Sequence, residues 1–276
     1  MKKPTYAKHD EFIGRGLKVF GFKSRLKKEI VKKSKRNKIS LLEIGCGKGN
    51  LLLDLARLYP KIKIVGVNKN STHGLKNGKE LSDRAKGLEL KLRPNKTPSV
   101  CFADAIRLPF RTDSFEIVIS QVTFIHIKNK AKAIEEVYRV LKPGGAALIS
   151  LGAYSISRKR GHAMPKFYKS LRRKLGRDFN PRFLVMANDT YVPISEFFRK
   201  FNRNGVRLHK QNFVSESQRG TSHWLIIDKK KKKLNLAISY VPSESKKLTE
   251  SFRNKNPVNW GVIDVYRSKR SSNILH

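Results

Sequence analysis

The stretch Leu41-Leu42-Glu43-Ile44-Gly45-Cys46-Gly47-Lys48-Gly49-Asn50 decides the reading of this chain. An apolar run holding one acid gives way to three glycines at alternate positions, and the helical run Leu51 to Leu58 follows. A strand that turns this sharply into a helix needs glycines where side chains would block a ligand from the backbone. A dinucleotide fingerprint places glycines at its first, third and sixth positions. Here the sixth position is Asn50 and the third glycine is Gly49, which argues against a nicotinamide cofactor.

Working outward, residues 41 to 151 alternate between strand and helix patterns. Strands are predicted at 41–45, 62–67, 99–103, 115–121 and 146–151, with helices at 49–59, 71–86 and 129–141. Pro143-Gly144-Gly145 reads as a helix stop and a turn into the next strand. Parallel strands require crossover connections, so the alternation predicts an α/β, doubly wound sheet with helices on both faces. Before it, Phe22, Leu26 and Ile30 recur at helical spacing within a basic segment, the pattern of a helix that packs over the core or serves as a lid. After it come a helix at 192–204 and an antiparallel strand pair through Val206-Arg207-Leu208 and His223 to Ile227. The expected organisation is a basic N-terminal helical extension or lid at 1–38, a principal domain at 39–228 with a basic insert at about 152–186, and a basic C-terminal extension at 229–276. Two short apolar runs of that extension, Leu234 to Val241 and Trp260 to Tyr266, would add strands or cover the sheet.

Charge is the second strong signal. Lys and Arg number 61 against 21 Asp and Glu, a formal +40, which exceeds what solubility asks of a domain. The bases cluster: residues 1–38 hold 14 against 3 acids, residues 151–186 hold 10 against Asp178 alone, and residues 229–276 hold 12 against 3. The clustering points to RNA or another polyanion, with a lysine-rich genome as the competing explanation. Arg158, Lys159, Arg160, Arg172, Arg173 and Lys174 are the candidate phosphate contacts. The run Lys229 to Lys233 reads as a solvated turn or an import signal. Only Cys46 and Cys101 occur, without zinc-type spacing, so no metal site is expected. Two scattered thiols, no apolar stretch of membrane-spanning length and no signal-type h-region together give the expectation of a cytoplasmic protein.

Later segments extend the glycine motif into a resemblance. The acid-x-Gly-x-Gly-x-Gly pattern, Ile64-Val65-Gly66-Val67-Asn68, Phe102-Ala103-Asp104-Ala105-Ile106-Arg107-Leu108-Pro109-Phe110, Asp113 to Gln121 and Arg139 to Gly145 stand in the order seen in class I S-adenosylmethionine (SAM) methyltransferases. Over roughly residues 39–228 the chain is most similar to the quinone and sterol type. The resemblance implies a Rossmann-like seven-stranded sheet, mostly parallel with an antiparallel final strand. It also implies that Glu43, Gly45, Cys46, Gly47, Gly49, Asn68, Asp104, Ala105 and Gln121 line the SAM site. Asp104 would accept from the adenine amino group. Asn68 stands where the family carries an acid for the ribose hydroxyls, so cofactor binding is expected to be weakened by about 1 kcal/mol. Arg139 to Gly145 is structural in related proteins.

His126 falls where related enzymes carry a histidine near the transferred methyl, and it would take a proton from an N or O nucleophile. A packing or capping histidine is the competing reading. Tyr6, Tyr154, His162 and Tyr191 are further candidates. Ser120-Gln121-Val122-Thr123 stands where amine-methylating enzymes of nucleobases carry Asn/Asp-Pro-Pro-Phe/Tyr, and neither cysteine has the context of a cytosine C5 nucleophile. Three functions compete: methyl transfer to RNA or an RNA-associated protein, methyl transfer to a quinone, lipid or metabolite with basic ends touching anionic membrane, and a catalytically degenerate RNA-binding factor.

Overall fold

The computed structural model describes residues 22–34, 38–69, 74–92, 97–121, 123, 124, 127, 129–157, 184–187, 190–193, 199, 201–214, 218–231, 233, 234, 236 and 263–265. In chain order the elements are α1 (Phe22–Ser34), β1 (Ser40–Ile44), α2 (Asn50–Leu58), β2 (Lys63–Asn68), α3 (Gly78–Gly87), β3 (Ser99–Phe102), β4 (Phe115–Ser120), α4 (Lys130–Val140) and β5 (Leu141–Ser157). There follow β6 (Leu184–Ala187), β7 (Thr190–Pro193), a 3₁₀ turn at Asn202–Asn204, β8 (Val206–Val214), β9 (Gln218–Asp228) and β10 (Ile263–Val265).

Seven of the strands form one sheet in the order β3-β2-β1-β4-β5-β9-β8. The first five run parallel, and β9, the last of the seven in chain order, is antiparallel to both its neighbours. This is the doubly wound sheet expected from the alternation. The order reverses between β1 and β4, and ligands of open α/β sheets bind outside the carboxyl ends of the strands at such a switch point. The glycine turn after β1 is there.

Both sheet faces are covered, which is why the central strands read as unbroken apolar runs. On one face, Leu41, Ile117, Ile119 and Ile226 pack with α2, α3 and the α1 residues Phe22, Leu26 and Ile30. The Phe22 ring stacks on Trp224 of β9, centroids 5.2 Å apart. The four-residue spacing seen in the sequence is thus a layer helix fused to the same core as β1. On the other face, Leu42, Ile44, Val118, Ile149 and Leu225 pack with Ile134, Val137 and Tyr138 of α4. Leu234 and Leu236, at the start of the first apolar run of the C-terminal segment, join that core; residues 237–241 of the run lie outside the described residues.

Several boundaries differ from expectation. The helix expected over 71–86 begins at Gly78, because Asn77 caps it: Glu80 N–H donates to Asn77 Oδ1 at 3.0 Å, and Lys76 N–H donates to Glu80 Oε2 at 2.9 Å. This reciprocal box fixes the first turn. The helix expected over 192–204 is not continuous: Val192 and Pro193 belong to β7, which forms a hairpin with β6, and Asn202–Asn204 is a 3₁₀ turn closed by Gly205. A strand ladder to Leu184–Ala187 overrides the local pattern there. β10, inside the apolar run Trp260 to Tyr266 expected to add a strand or cover the sheet, pairs with β6 and completes a small three-stranded sheet separate from the main one.

β5 was expected to stop at residue 151 and instead runs to Ser157. Its pairing with β4 ends at Ile149, while its pairing with β9 continues to Ser157↔Gln218, and β8 follows β9 as far as Val214. Residues beyond Leu151 extend by about 3.3 Å each. They therefore carry a three-stranded ribbon past the sheet edge that holds the glycine turn. The helix expected near 158–177 lies outside the described residues.

Candidate active site

The glycine turn is hung on the neighbouring strand. The N–H groups of Gly45 and Cys46 both donate to the Val67 carbonyl, at 2.8 and 3.1 Å, and Gly49 N–H donates to Cys46 O at 2.8 Å. Gly45, Gly47 and Gly49 all have positive φ, at 73°, 52° and 72°. L-residues with a side chain pay for that conformation. Space separates the three. A Cβ on Gly45 would fall 2.0 Å from Thr123 Oγ1, and one on Gly49 would fall 2.4 Å from a methyl of Leu81. A Cβ on Gly47 would meet nothing within 4 Å, so that glycine faces open space.

Three features of this cradle fit SAM. The open side at Gly47 admits a ligand to the backbone. Gly49 caps α2 without any side-chain hydrogen bond, which leaves the first-turn N–H groups for a carboxylate such as that of the methionine moiety. Beneath the turn, Glu43 is 4% exposed and its Oε2 has no hydrogen-bond partner among the described residues. Burial, with Asp54 close by, pushes the Glu43 carboxyl up to about 8. A buried acid with an unspent oxygen suits the cationic amino end of SAM.

Cys46 contributes backbone only. Its thiol is buried against Gly66, where a Cβ would lie 2.8 Å from Sγ, and burial raises its pKa strongly. Asn68, at the end of β2, is buried. Its Oδ1 accepts from Gly47 N–H at 2.7 Å, and its Nδ2 donates to Gly47 O and Leu75 O, both at 3.0 Å. Both donors expected to be available for ribose are spent inside the protein. Asp104 is partly exposed and forms an ion pair with Lys69 Nζ at 2.7 Å. That hydrogen bond, opposed by partial burial and helped by Ile106 N–H, holds its carboxyl below the usual range. Asp104 is thus an ionised acceptor at the sheet edge next to Asn68, with Ala105 buried behind it. Gln121 is half-buried just beyond β4.

Most of the other expected site residues fall on parts of the chain that are not described. His126, Arg158, Lys159, Arg160, Arg172, Arg173, Lys174, Tyr6 and His162 lie outside the described residues; Tyr154 is in β5 and Tyr191 in β7. Among the described residues no group of three or more His, Cys, Asp or Glu is placed to hold a metal, and no helix is long and apolar enough to cross a membrane.

Residues that the sequence reading passed over support the site. Thr123 Oγ1 donates to Gly45 O at 3.2 Å and packs where any side chain at 45 would go. Arg139 of α4 donates to Phe110 O at 2.8 Å and Leu108 O at 3.0 Å and pairs with Glu136, whose Oε2 accepts from Leu108 N–H. This network clamps the loop that starts at Asp104, which gives the structural role of the Arg139 segment a physical form. Its signal was an arginine among apolar residues at a helix end. Lys229 is no solvated turn residue: it is buried, with Nζ 2.6 Å from Asp113 Oδ1 and 2.7 Å from Leu141 O. A run whose first member is buried does not present five lysines.

A family profile described as a methyltransferase domain matches residues 42–149. Among curated proteins, cycloartenol-C-24-methyltransferase of Arabidopsis thaliana is 34% identical over 104 residues, 38% of this chain and 28% of that protein. Glycine/sarcosine/dimethylglycine N-methyltransferase of Actinopolyspora halophila is 32% identical over 125 residues, 45% of this chain and 20% of that one. An N-methyltransferase of Haemonchus contortus, solved with phosphomonomethylethanolamine and S-adenosylhomocysteine, superposes with a TM-score of 0.45 at 17% identity, covering 76% of this chain and 53% of that chain. The chain spans well under half the length of the curated relatives it matches. The match to a methyltransferase domain over residues 42–149 falls on the stretch that carries the central parallel strands and the glycine cradle.

Proposed function

We propose that the protein transfers the methyl group of SAM to an N or O nucleophile on RNA or an RNA-associated protein. The observation that carries the methyl-transfer part is the open face of Gly47 above an uncapped helix N-terminus and a buried Glu43 carboxyl with an oxygen unpartnered among the described residues. The sulfonium supplies the reactivity of a bound SAM. The protein's part is to hold it and to exclude water, with α2 N–H groups toward the carboxylate, Glu43 toward the amino end and Asp104 toward the adenine.

The acceptor class rests on charge. Lys23, Lys27, Lys28 and Lys32 are exposed on α1, and Lys230, Lys231 and Lys233 are exposed beyond β9. Phosphates held by such lysines would position a polyanionic acceptor, and binding would weaken steeply with salt. A second reading, a small-molecule acceptor, is favoured by the relatives, which include sterol and glycine methyltransferases. A labelled-methyl assay with total RNA, basic RNA-associated proteins and lipid extract, each over a range of salt, separates them. Label in RNA or its proteins that falls with salt supports the first reading, and salt-insensitive label in the lipid fraction overturns it. No SAM binding by folded protein would leave the RNA-binding factor.

A further inference from the structure

We infer that Asn68 is a positioning residue of the glycine turn, and that this site requires an amide at the end of β2 where a carboxylate would disable it. The inference rests on the SAM reading above. Three backbone groups hydrogen-bond the Asn68 side chain: one N–H, from Gly47, and two carbonyls, from Gly47 and Leu75. A carboxamide offers one acceptor oxygen and two N–H donors, which matches the demand group for group. A carboxylate accepts only. It would keep the Gly47 N–H but bring its other oxygen against two carbonyl oxygens that now sit 3.0 Å from Nδ2.

One side chain thus ties three segments. The turn is held through both polar groups of Gly47, the strand end through Asn68 itself, and the segment after β2 through Leu75. Leu75 N–H closes the same unit by donating to Gly47 O at 2.9 Å. The chain passes so near the amide that a Cβ on Gly74 would lie 2.6 Å from Asn68 Nδ2. Leu75 in turn fills the space beside Gly49, where a Cβ would lie 2.6 Å from its Cδ1. Asn68 therefore sets the position of Gly47, the one glycine of the turn that faces open space.

The charged and titratable groups around it, among the described residues, are few. The Cys46 thiol lies against it from the turn, with the Glu43 carboxyl behind that thiol, and Lys69 follows it in the chain, already paired with Asp104. Beyond the weak S–H of Cys46, none supplies the second donor that an aspartate at 68 would lack, except a proton on the aspartate itself. The replacement is therefore pH-dependent: a protonated carboxyl regains one donor.

The test uses the full chain with Asn68→Asp and Asn68→Ala. SAM affinity is measured by calorimetry at pH 8 and near pH 5.5, each as a ratio to wild type, and hydrogen exchange is followed at the Gly47 and Leu75 amides without SAM. Asn68→Asp is expected to weaken binding by about tenfold or more at pH 8 and by less near pH 5.5. Asn68→Ala, which carries no charge and keeps the fold testable, is expected to weaken it similarly at both. Gly47 should exchange faster in both variants. If Asn68→Asp binds SAM as tightly as wild type or tighter at pH 8, as a restored ribose acid would, the inference is overturned while the SAM reading stands. Unchanged Gly47 exchange in Asn68→Ala overturns it as well. Wild-type protein that does not bind SAM overturns the reading on which it rests.

Discussion

Two glycine-rich turns sit at opposite edges of the sheet, and they differ in what their helix leaves unsatisfied. Gly45-Cys46-Gly47-Lys48-Gly49 leads from β1 into the start of α2, while Pro143-Gly144-Gly145 follows the end of α4 within β5. A helix start presents N–H groups and attracts anions, and a helix end presents carbonyls and attracts cations. At the α4 end the protein answers the demand itself. Lys229 Nζ reaches Leu141 O at 2.7 Å and Arg139 O at 3.3 Å, Gly144 N–H donates to Lys229 O, and Lys33 Nζ donates to Gly144 O at 2.6 Å. At the α2 start no side chain caps the helix. The comparison teaches that glycine content does not mark a site; unanswered polar groups do.

The largest effect should come from undoing the answered turn. Lys229→Met removes the buried ammonium from Asp113 and the α4 carbonyls and should cost about 3 kcal/mol in denaturant unfolding, with SAM affinity unchanged in the folded fraction. A similar loss in SAM binding by fully folded protein would erase the contrast.

Glu43 comes next, through pH. Its folded pKa, raised by burial and Asp54 to about 8, lies above the ordinary value near 4.5. Between those values the unfolded chain has released the proton and the native chain has not, so this group makes native stability fall as pH rises from about 4.5 to about 8. Glu43→Gln should flatten that decline in melting temperature, raising it at pH 8, while weakening SAM by about tenfold or more. A variant that melts with the wild-type pH profile would show that Glu43 is ionised in the free protein.

The sharpest comparison is also the smallest in stability. Gly47 and Gly144 both have positive φ, 52° and 71°, and at both a Cβ would meet open space. Alanine at either should cost about 1 kcal/mol for the left-handed backbone. Only Gly47→Ala should weaken SAM binding measurably, since its methyl enters the open cradle. Equal effects of the two on SAM would remove Gly47 from the site.

Most of the sheet was legible because its signals are local. Apolar runs at 41–44, 64–67 and 117–119, separated by helical periods, can form little else than buried parallel strands. The end of β5 and the β6–β7 hairpin were not legible, because β partners distant in sequence decide them. The same division runs through the site. Glycines at 45, 47 and 49 and the acid at 43 are readable, since backbone conformation and burial constrain residue type. Asn68 was readable only as a departure from the family's acid.

By itself, then, the sequence determined the alternation that makes the doubly wound sheet, the place of the glycine turn and the cationic surface, because periodicity, φ limits and net charge belong to short stretches of chain. Tertiary structure alone decided that Asn68 holds Gly47, that Lys229 is buried against α4 and that Arg139 clamps the Asp104 loop. Each depends on which polar groups meet across the fold, and hydrogen-bond partners 21 to 88 residues apart leave no pattern in the chain between them.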